Sequence, residues 1–379
     1  YIHIPFCVRK CSYCDFLSAP ATEQTREAYM AALFAEIGGR AKDYSDRTVT
    51  SIFIGGGTPS LLSGEQIGQL MDRIREQFAM AQDAEITMEV NPGTASAEKL
   101  RNFYTAGINR LSIGMQSAQA EELKNLGRIH DFEGFCQVYR EAVEAGFTNI
   151  NVDIMSGLPG QTLASYRDTL EKVLHLEPMP QHISAYSLIV EEGTPFAAMA
   201  ERGELPLPEE ETERAMYEET IEVLAKYGFH RYEISNYARD GYECRHNVGY
   251  WIRRDYLGFG IGAASLIDNV RFQNEKSLGA YLAHPLESRE EEQTLTVQDR
   301  MEETMFLGLR LTRGVSCVDF AEQYGRTVEE VYGEVIARNV ADGLLTVTER
   351  KENQKKDRLL ALTKRGLDLS NYVMAQFLF

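Results

Sequence analysis

Six short runs with strand character recur through the first half of this 379-residue chain, and their regular separation by amphipathic stretches limits the fold more than any other feature. They are YIHIPF (1–6), TSIFIGG (50–56), EITMEVN (85–91), RLSIGMQ (110–116), NVDIMSG (151–157) and HISAYSL (182–188). Ser63 to Phe78 represents the segments between them: its apolar residues follow helical spacing, and Ser63 and Gln66 stand at capping-box separation. Strand–helix repetition predicts a parallel sheet, because parallel neighbours need a crossover. Six units suit an incomplete (β/α)6 barrel better than the alternative, an open doubly wound sheet.

Past residue 190 the alternation fades. YEISNYA (232–238), CRHNVGYW (244–251) and LGFGIGAAS (257–265) read as strands and loops closing one side of the barrel, and ESREEEQ (287–293) as an exposed charged connection. Helical segments from Asp299 to Asp342, followed by LLTVTE and RLLALTKRG as two short strands, predict a small winged-helix-like α+β domain. The expected organisation is a barrel over 1–190, a closing segment over 191–285 and a C-terminal domain over 286–379.

A net charge of −18 disfavours a nucleic-acid partner, whose phosphates reward basic surfaces. Residues 297–379 have nearly balanced charge, with 12 Lys and Arg against 13 Asp and Glu, and so lack the basic footprint of a DNA reader; an accessory, packing role is expected of them. No apolar run is long enough for an integral membrane segment, and no signal-peptide pattern opens the chain, so a cytoplasmic location is expected. The numbering starts at Tyr1 rather than at Met, which leaves a few upstream residues to be expected.

Cys136, Cys244 and Cys317 are scattered singly, unlike a disulfide framework. Cys7, Cys11 and Cys14 instead form C-x3-C-x2-C between the first strand and the first helix. Zinc needs a fourth protein ligand, for which His3 is the nearby candidate. Three thiolates also suit a 4Fe-4S cluster whose fourth iron stays open to a ligand. This spacing at the first strand of an α/β barrel resembles the radical S-adenosylmethionine (SAM) superfamily. The resemblance implies that SAM chelates the open iron and is cleaved reductively to a 5'-deoxyadenosyl radical.

Gly55, Gly56, Gly57, Thr58 and Pro59 end the second strand run. They make a tight turn or, by the same resemblance, the loop that binds SAM's amino group. Glu89 in MEVNP is either a solvated strand-end acid or the acceptor for SAM's ribose hydroxyls.

Compared motif by motif, YIHIPFC, GGGTPS, MEVNP, SIGMQS, LGRIH, DIMSGLPGQT and YEISNYA resemble the oxygen-independent coproporphyrinogen III oxidases and their relatives, the HemW heme chaperones. By that resemblance Tyr1, Tyr13, Gly56 and Glu89 face the cluster-bound SAM. Gly57, Thr58, Gln116, Arg128 and Asp153 match positions that hold a second SAM in the oxidase; hydrogen bonding within the core is the other reading for the last three. The oxidase motif continues to a fourth cysteine where this chain has Phe16, which favours the chaperone branch. HNVGYW (246–251) is similar to that branch's H-N-x-x-Y signature. It implies heme held by His246, with Tyr250 and Trp251 covering the porphyrin; a hydrogen-bonded histidine and a packed tryptophan are the alternative. Cys244 is a competing ligand, and Arg245, Arg253 and Arg254 are candidate partners for the propionates. The resemblance thus implies heme or porphyrin, heme-accepting proteins and an electron donor as partners. Oxidative decarboxylation of coproporphyrinogen III is the rival activity, and SAM-dependent methyl transfer a second.

Overall fold

The computed structural model describes residues 1–352 and 355–378. Strands β1 (Ile2–Ile4), β2 (Thr48–Gly56), β3 (Ala79–Val90), β4 (Arg110–Gln116), β5 (Ile150–Ser156) and β6 (His182–Ser187) lie side by side in chain order, each neighbouring pair parallel. Helices α1 (Glu23–Arg40), α2 (Gly64–Gln77), α3 (Ala97–Thr105), α4 (Ala120–Leu126), α5 (Phe132–Glu144) and α6 (Leu163–Leu174) fill the crossovers. This is the incomplete (β/α)6 barrel expected from the alternation. The Ser63–Gln66 capping box forms at the start of α2.

After α7 (Pro195–Glu201) and α8 (Glu210–Lys226), strands β7 (His230–Arg231) and β8 (Asn236–Ala238) extend the sheet, β8 running antiparallel to β6. The opposite edge is covered too. The Tyr1 and His3 nitrogens donate to the Leu257 and Phe259 carbonyls, and Phe259 N donates back to Tyr1 O, at 2.8 to 2.9 Å.

The barrel interior is polar. Along β3 to β6 the helix-facing residues are apolar, among them Met88, Leu111, Ile113, Val152, Ile154 and Ile183. The alternate positions, Glu85, Thr87 and Glu89, Arg110 and Ser112, Asn151 and Asp153, His182 and Ser184, face the lumen; Ser112, Asn151, Asp153, His182 and Ser184 bond to one another, Glu85 bonds to residues 244–246, and Glu89 to Gly56 N. A closed eight-stranded barrel fills that space with layers of branched apolar side chains. Here the lumen is a hydrogen-bonded core open at its ends.

Helix α9 (Arg245–Trp251), strands β9 (Ala264–Ile267) and β10 (Val270–Asn274), helix α10 (Leu278–Ala283) and strand β11 (Arg289–Thr294) follow. Two expectations change here. Residues 245–251 are helical because the Glu85 carboxylate accepts the Arg245 and His246 N–H groups at 3.0 and 3.1 Å, while Val248 and Trp251, three apart, pack on Tyr232 and Leu311. Residues 289–294 are not a loop but an edge strand paired with β10; its charged side chains are all exposed, which suits an edge.

Helices α11 (Val297–Gly308), α12 (Cys317–Tyr324) and α13 (Val328–Ala341) then pack with a three-stranded antiparallel sheet, β12 (Val315–Ser316), β14 (Lys355–Leu362) and β13 (Leu345–Glu352). With α14 (Lys364–Asp368) and α15 (Ser370–Ala375) they surround a separate core that includes Met305, Phe320, Leu345, Leu360 and Phe377. No helix among the described residues is long and apolar enough to cross a membrane.

A buried network fastens α1 to the strands beyond the barrel. Glu36 accepts from Arg40, Tyr281, Asn274 and the Gly260 nitrogen, and Arg40 continues to Asn274 and Ser288. Arg40→Met leaves a buried carboxylate without its cation and should lower the unfolding free energy by about 3–5 kcal/mol. Arg26→Met, at an exposed pair with Glu23, should cost at most about 1 kcal/mol. Urea denaturation of both variants measures the difference.

Candidate functional site

The cysteine loop leaves β1 at its C-terminal end and is pinned at several points. Cys7 N donates to Ala19 O and Ala19 N to Pro5 O, closing its base; Ser12 N donates to Leu126 O, and Phe196 N to Ser12 O. Arg9 reaches the Gly127 carbonyl at 2.7 Å. So held, Cys7, Cys11 and Cys14 are free, half-buried thiols lining a pocket of about 360 Å³. His3 is not a fourth ligand, because its nitrogens face the Tyr1 hydroxyl and the Leu17 carbonyl at 3.0 and 2.8 Å.

The other walls come from successive strand ends: Gly56 from β2, Glu89 from β3, Gly114 and Gln116 from β4, Asp153 and Met155 from β5, and Tyr186 from β6. The glycine turn knits the second strand to the first, Gly57 N donating to Ile4 O and Thr58 N to Phe6 O. A Cβ on Gly56, at φ 106°, would strike the His3 ring. These glycines therefore make a tight turn and also line the pocket. Glu89 accepts the Gly56 N–H at 3.1 Å; burial, and then the nearby Asp153, push its carboxyl up to about 8.

Asp153 is held by Asn151 at 2.7 Å and by Ser112. Burial raises its pKa, while Asn151, Ser184, Arg110 and Ser112 oppose the rise. Gln116 sits at φ 69°, strained backbone for a residue with a side chain. Arg128 donates to Gly114 O, lies 3.9 Å from Cys11 Sγ, and keeps Nε buried without a partner. Tyr13 packs beside Leu126, Met155 and Phe196.

Eleven of the thirteen candidate residues thus share one pocket: the three cysteines with Tyr13, Gly56, Gly57, Thr58, Glu89, Gln116, Arg128 and Asp153. Tyr1 and His246 lie elsewhere, in a pocket of about 280 Å³ at the N-terminal ends of the strands. Tyr1 is separated from the cysteines by His3, to which its hydroxyl bonds. His246 is 6% exposed, stacked on Phe53, with Nδ1 on the Ser51 hydroxyl at 3.1 Å and Nε2 on the Tyr250 hydroxyl at 3.0 Å. Trp251 is on another face, beneath the Arg310 guanidinium. Of the three arginines, Arg245 pairs with Asp83 and Arg253 with Glu303, whereas Arg254 has no acidic partner among the described residues and lines the pocket with His246.

Sequence reasoning passed over Ser112 and Tyr186, which also line the cysteine pocket. Their signal was phase, since they share the alternate positions of their strands with Gly114, Gln116 and Ser184.

The donor set fits an iron-sulfur cluster on one wall and a polar ligand on the others. Three thiols meet the cationic Arg9, Lys10 and Arg128, which favour an anionic centre, and Glu89 and Asp153 offer acceptors. Comparison with known proteins gives the class. Residues 1–173 match the radical SAM superfamily and residues 295–369 the HemN C-terminal domain. Membership of this superfamily implies a 4Fe-4S cluster and SAM. The chain is 38% identical to the heme chaperone HemW of Bacillus subtilis, over 100% of this chain and 98% of that one, and 37% identical to that of Escherichia coli over 91% of each. Coproporphyrinogen III oxidase (HemN) from Escherichia coli, a radical SAM enzyme of known structure, is 28% identical and superposes with a TM-score of 0.85 over 100% of this chain and 89% of that one. The chain belongs to the HemW family.

Cys7→Ala, Cys11→Ala and Cys14→Ala should each abolish iron-sulfur absorbance after anaerobic reconstitution, and Cys136→Ala and Cys317→Ala should keep it. Stoichiometric zinc without that absorbance would contradict the cluster. Glu89 gives a stability signature independent of any ligand. Its carboxyl stays protonated in the folded chain up to about pH 8 but ionises near 4.5 when unfolded. Below 4.5 the two states bind the same proton and nothing is lost; as pH rises towards 8 the ligand-free protein should lose up to about 1.4 kcal/mol per unit from this group. Glu89→Gln, which retains an acceptor for Gly56, should remove that slope in thermal denaturation across this range.

Proposed function

We propose that this chain is a heme chaperone that binds a 4Fe-4S cluster through Cys7, Cys11 and Cys14, SAM in the adjoining pocket, and heme, which it passes to acceptor proteins. The observation that carries the proposal is identity to HemW along the whole chain. It is supported at the site by Phe16, which lies 60% exposed at the pocket where the oxidase motif has a further cysteine. An aromatic ring there supplies neither a ligand nor a thiol.

In this reading Gly56, Glu89 and Tyr13 contact the SAM that chelates the cluster. Gly57, Thr58, Gln116, Arg128 and Asp153 bind its remainder or a second molecule. Held by Cys7, Cys11 and Cys14 and reduced by an electron donor, a cluster there would supply the electron for reductive cleavage of a carbon–sulfur bond of SAM. The chain's own work is to hold that ligand by backbone and carboxylate acceptors and to keep three thiols on one rigid loop.

His246 is the proposed heme ligand, at the opposite end of the barrel. Ligation there would require His246 Nε2 to give up its bond to the Tyr250 hydroxyl, and Arg254, which lines the same pocket, would be the partner for a propionate. Cys244 is a poorer candidate because it is fully buried with Sγ against Glu85. Residues 1–190 carry the SAM chemistry, 191–285 the heme signature and 286–379 the accessory domain, in a protein proposed to be cytoplasmic.

Anaerobic incubation with coproporphyrinogen III, a reductant and SAM should yield no protoporphyrinogen; catalytic production would transfer the protein to the oxidase class. Heme titration should saturate at one equivalent, and His246→Ala should shift the Soret band. Removing a merely structural histidine lowers thermal stability and leaves the heme spectrum unchanged, so an unshifted band rejects His246 as the ligand.

A further inference from the structure

A single file of hydrogen bonds crosses the polar lumen from α9 to the cysteine-side pocket. It begins at Cys244 N, immediately before α9, which lies 3.2 Å from the Tyr232 hydroxyl. That hydroxyl lies 2.9 Å from His182 Nε2, and His182 Nδ1 lies 2.6 Å from Asn151 Oδ1. The Asn151 amide nitrogen then reaches Asp153 Oδ1 and Ser112 Oγ, both at 2.7 Å. Every member except Asp153, which faces the pocket, is buried.

The donors fix the direction. Asn151 spends both amide hydrogens on Asp153 and Ser112, so its Oδ1 is an acceptor and receives Ser184 O–H and His182 Nδ1–H. Nε2 of that tautomer accepts, which sends the Tyr232 hydrogen to it, and the Tyr232 oxygen in turn accepts Cys244 N–H. Each group therefore donates towards the Asp153 carboxylate, from the backbone that starts α9. Arg110, 1% exposed and with Nε unpartnered, sits among Asp153, Glu85, Tyr232 and Cys244 and favours the ionised end of the line.

We propose that Asn151, His182 and Tyr232 are positioning residues that couple occupancy of Asp153 in the cysteine-side pocket to the seating of α9, the helix that bears His246. A ligand whose hydroxyl or ammonium groups engage Asp153 competes with Asn151 for the same oxygen. Loosening that bond loosens the Asn151–His182 and His182–Tyr232 bonds behind it, because each donor is oriented by the next acceptor. The end of the line is one of the bonds that dock the start of α9, beside the two backbone N–H bonds to Glu85, the weak Cys244 thiol contact with it, the Arg245–Asp83 pair and the His246 bond to Ser51. The inference rests on the proposal that SAM binds in this pocket, and it concerns communication across the barrel rather than binding itself.

The test is hydrogen exchange of residues 244–251 in the cluster-reconstituted full chain, with and without SAM, alongside equilibrium dialysis of SAM. In the wild type, SAM should change exchange in this segment about fivefold or more. Tyr232→Phe keeps the ring and removes the hydroxyl; it should abolish that change while leaving SAM affinity within about twofold. His182→Gln should do the same, so the result does not depend on one variant folding well. Tyr139→Phe removes a hydroxyl bonded to the Pro178 carbonyl, away from the line, and it should retain the response. Failure of the wild type to bind SAM removes the reading on which the line depends, and the line with it. Binding without any change in exchange at 244–251, or an undiminished change in Tyr232→Phe and His182→Gln, overturns the line alone.

Discussion

The hydrogen-bonded polar lumen is the constraint on which the rest of this structure depends. Buried Ser112, Asn151, Asp153, His182 and Ser184 satisfy one another, and they do so only when β4, β5 and β6 keep their observed register. A shift of one residue would turn those groups outward against the helices and the apolar faces inward. The same register that satisfies the lumen delivers Glu89, Gly114 and Asp153 to one rim, so the pocket is a by-product of getting the core right.

The pocket carries costs that a purely structural site would shed. Glu89 lies in an environment that disfavours its charge, and Gln116 holds a backbone angle suited to glycine. Strain and unfavourable burial gathered at the end of one barrel, beside three thiols, mark where selection has preferred binding to stability. At the other end, His246 is fully bonded and stacked. That end is well packed, and any chemistry there begins by breaking bonds already made.

Much of this was legible in the residues. Strands RLSIGMQ and NVDIMSG were bounded to within one residue, because each combines strand-forming residues with turn signals at both ends. The cysteine loop was readable because its spacing is local. What escaped was non-local. The helix at 245–251 depends on Glu85, over 150 residues away, to satisfy its first nitrogens, and without that acid the glycine and aromatics of HNVGYW suit a loop equally well. Tyr1 was grouped with the SAM residues by family resemblance; its ring lines the pocket at the other mouth of the barrel, and its hydroxyl bonds to His3, which stands between it and the cysteine loop. The line through His182 and Tyr232 crosses from β6 to the segment after β7, a pairing no local pattern announces.

The backbone bonds between β1 and residues 257–259 have a consequence for inheritance. The strand that leads into the cysteine loop has β2 on one side; its other side is occupied by a segment encoded more than 250 residues downstream. A gene fragment ending after the sixth strand would encode the three cysteines of the loop and every wall of the pocket, yet its cysteine-bearing strand would be a bare edge, open to pairing with another chain. The barrel is therefore not a portable cassette. Recombination that exchanges the C-terminal half must bring a compatible edge partner with it, which ties the evolution of the half that holds residues 257–259 to that of the cysteine loop.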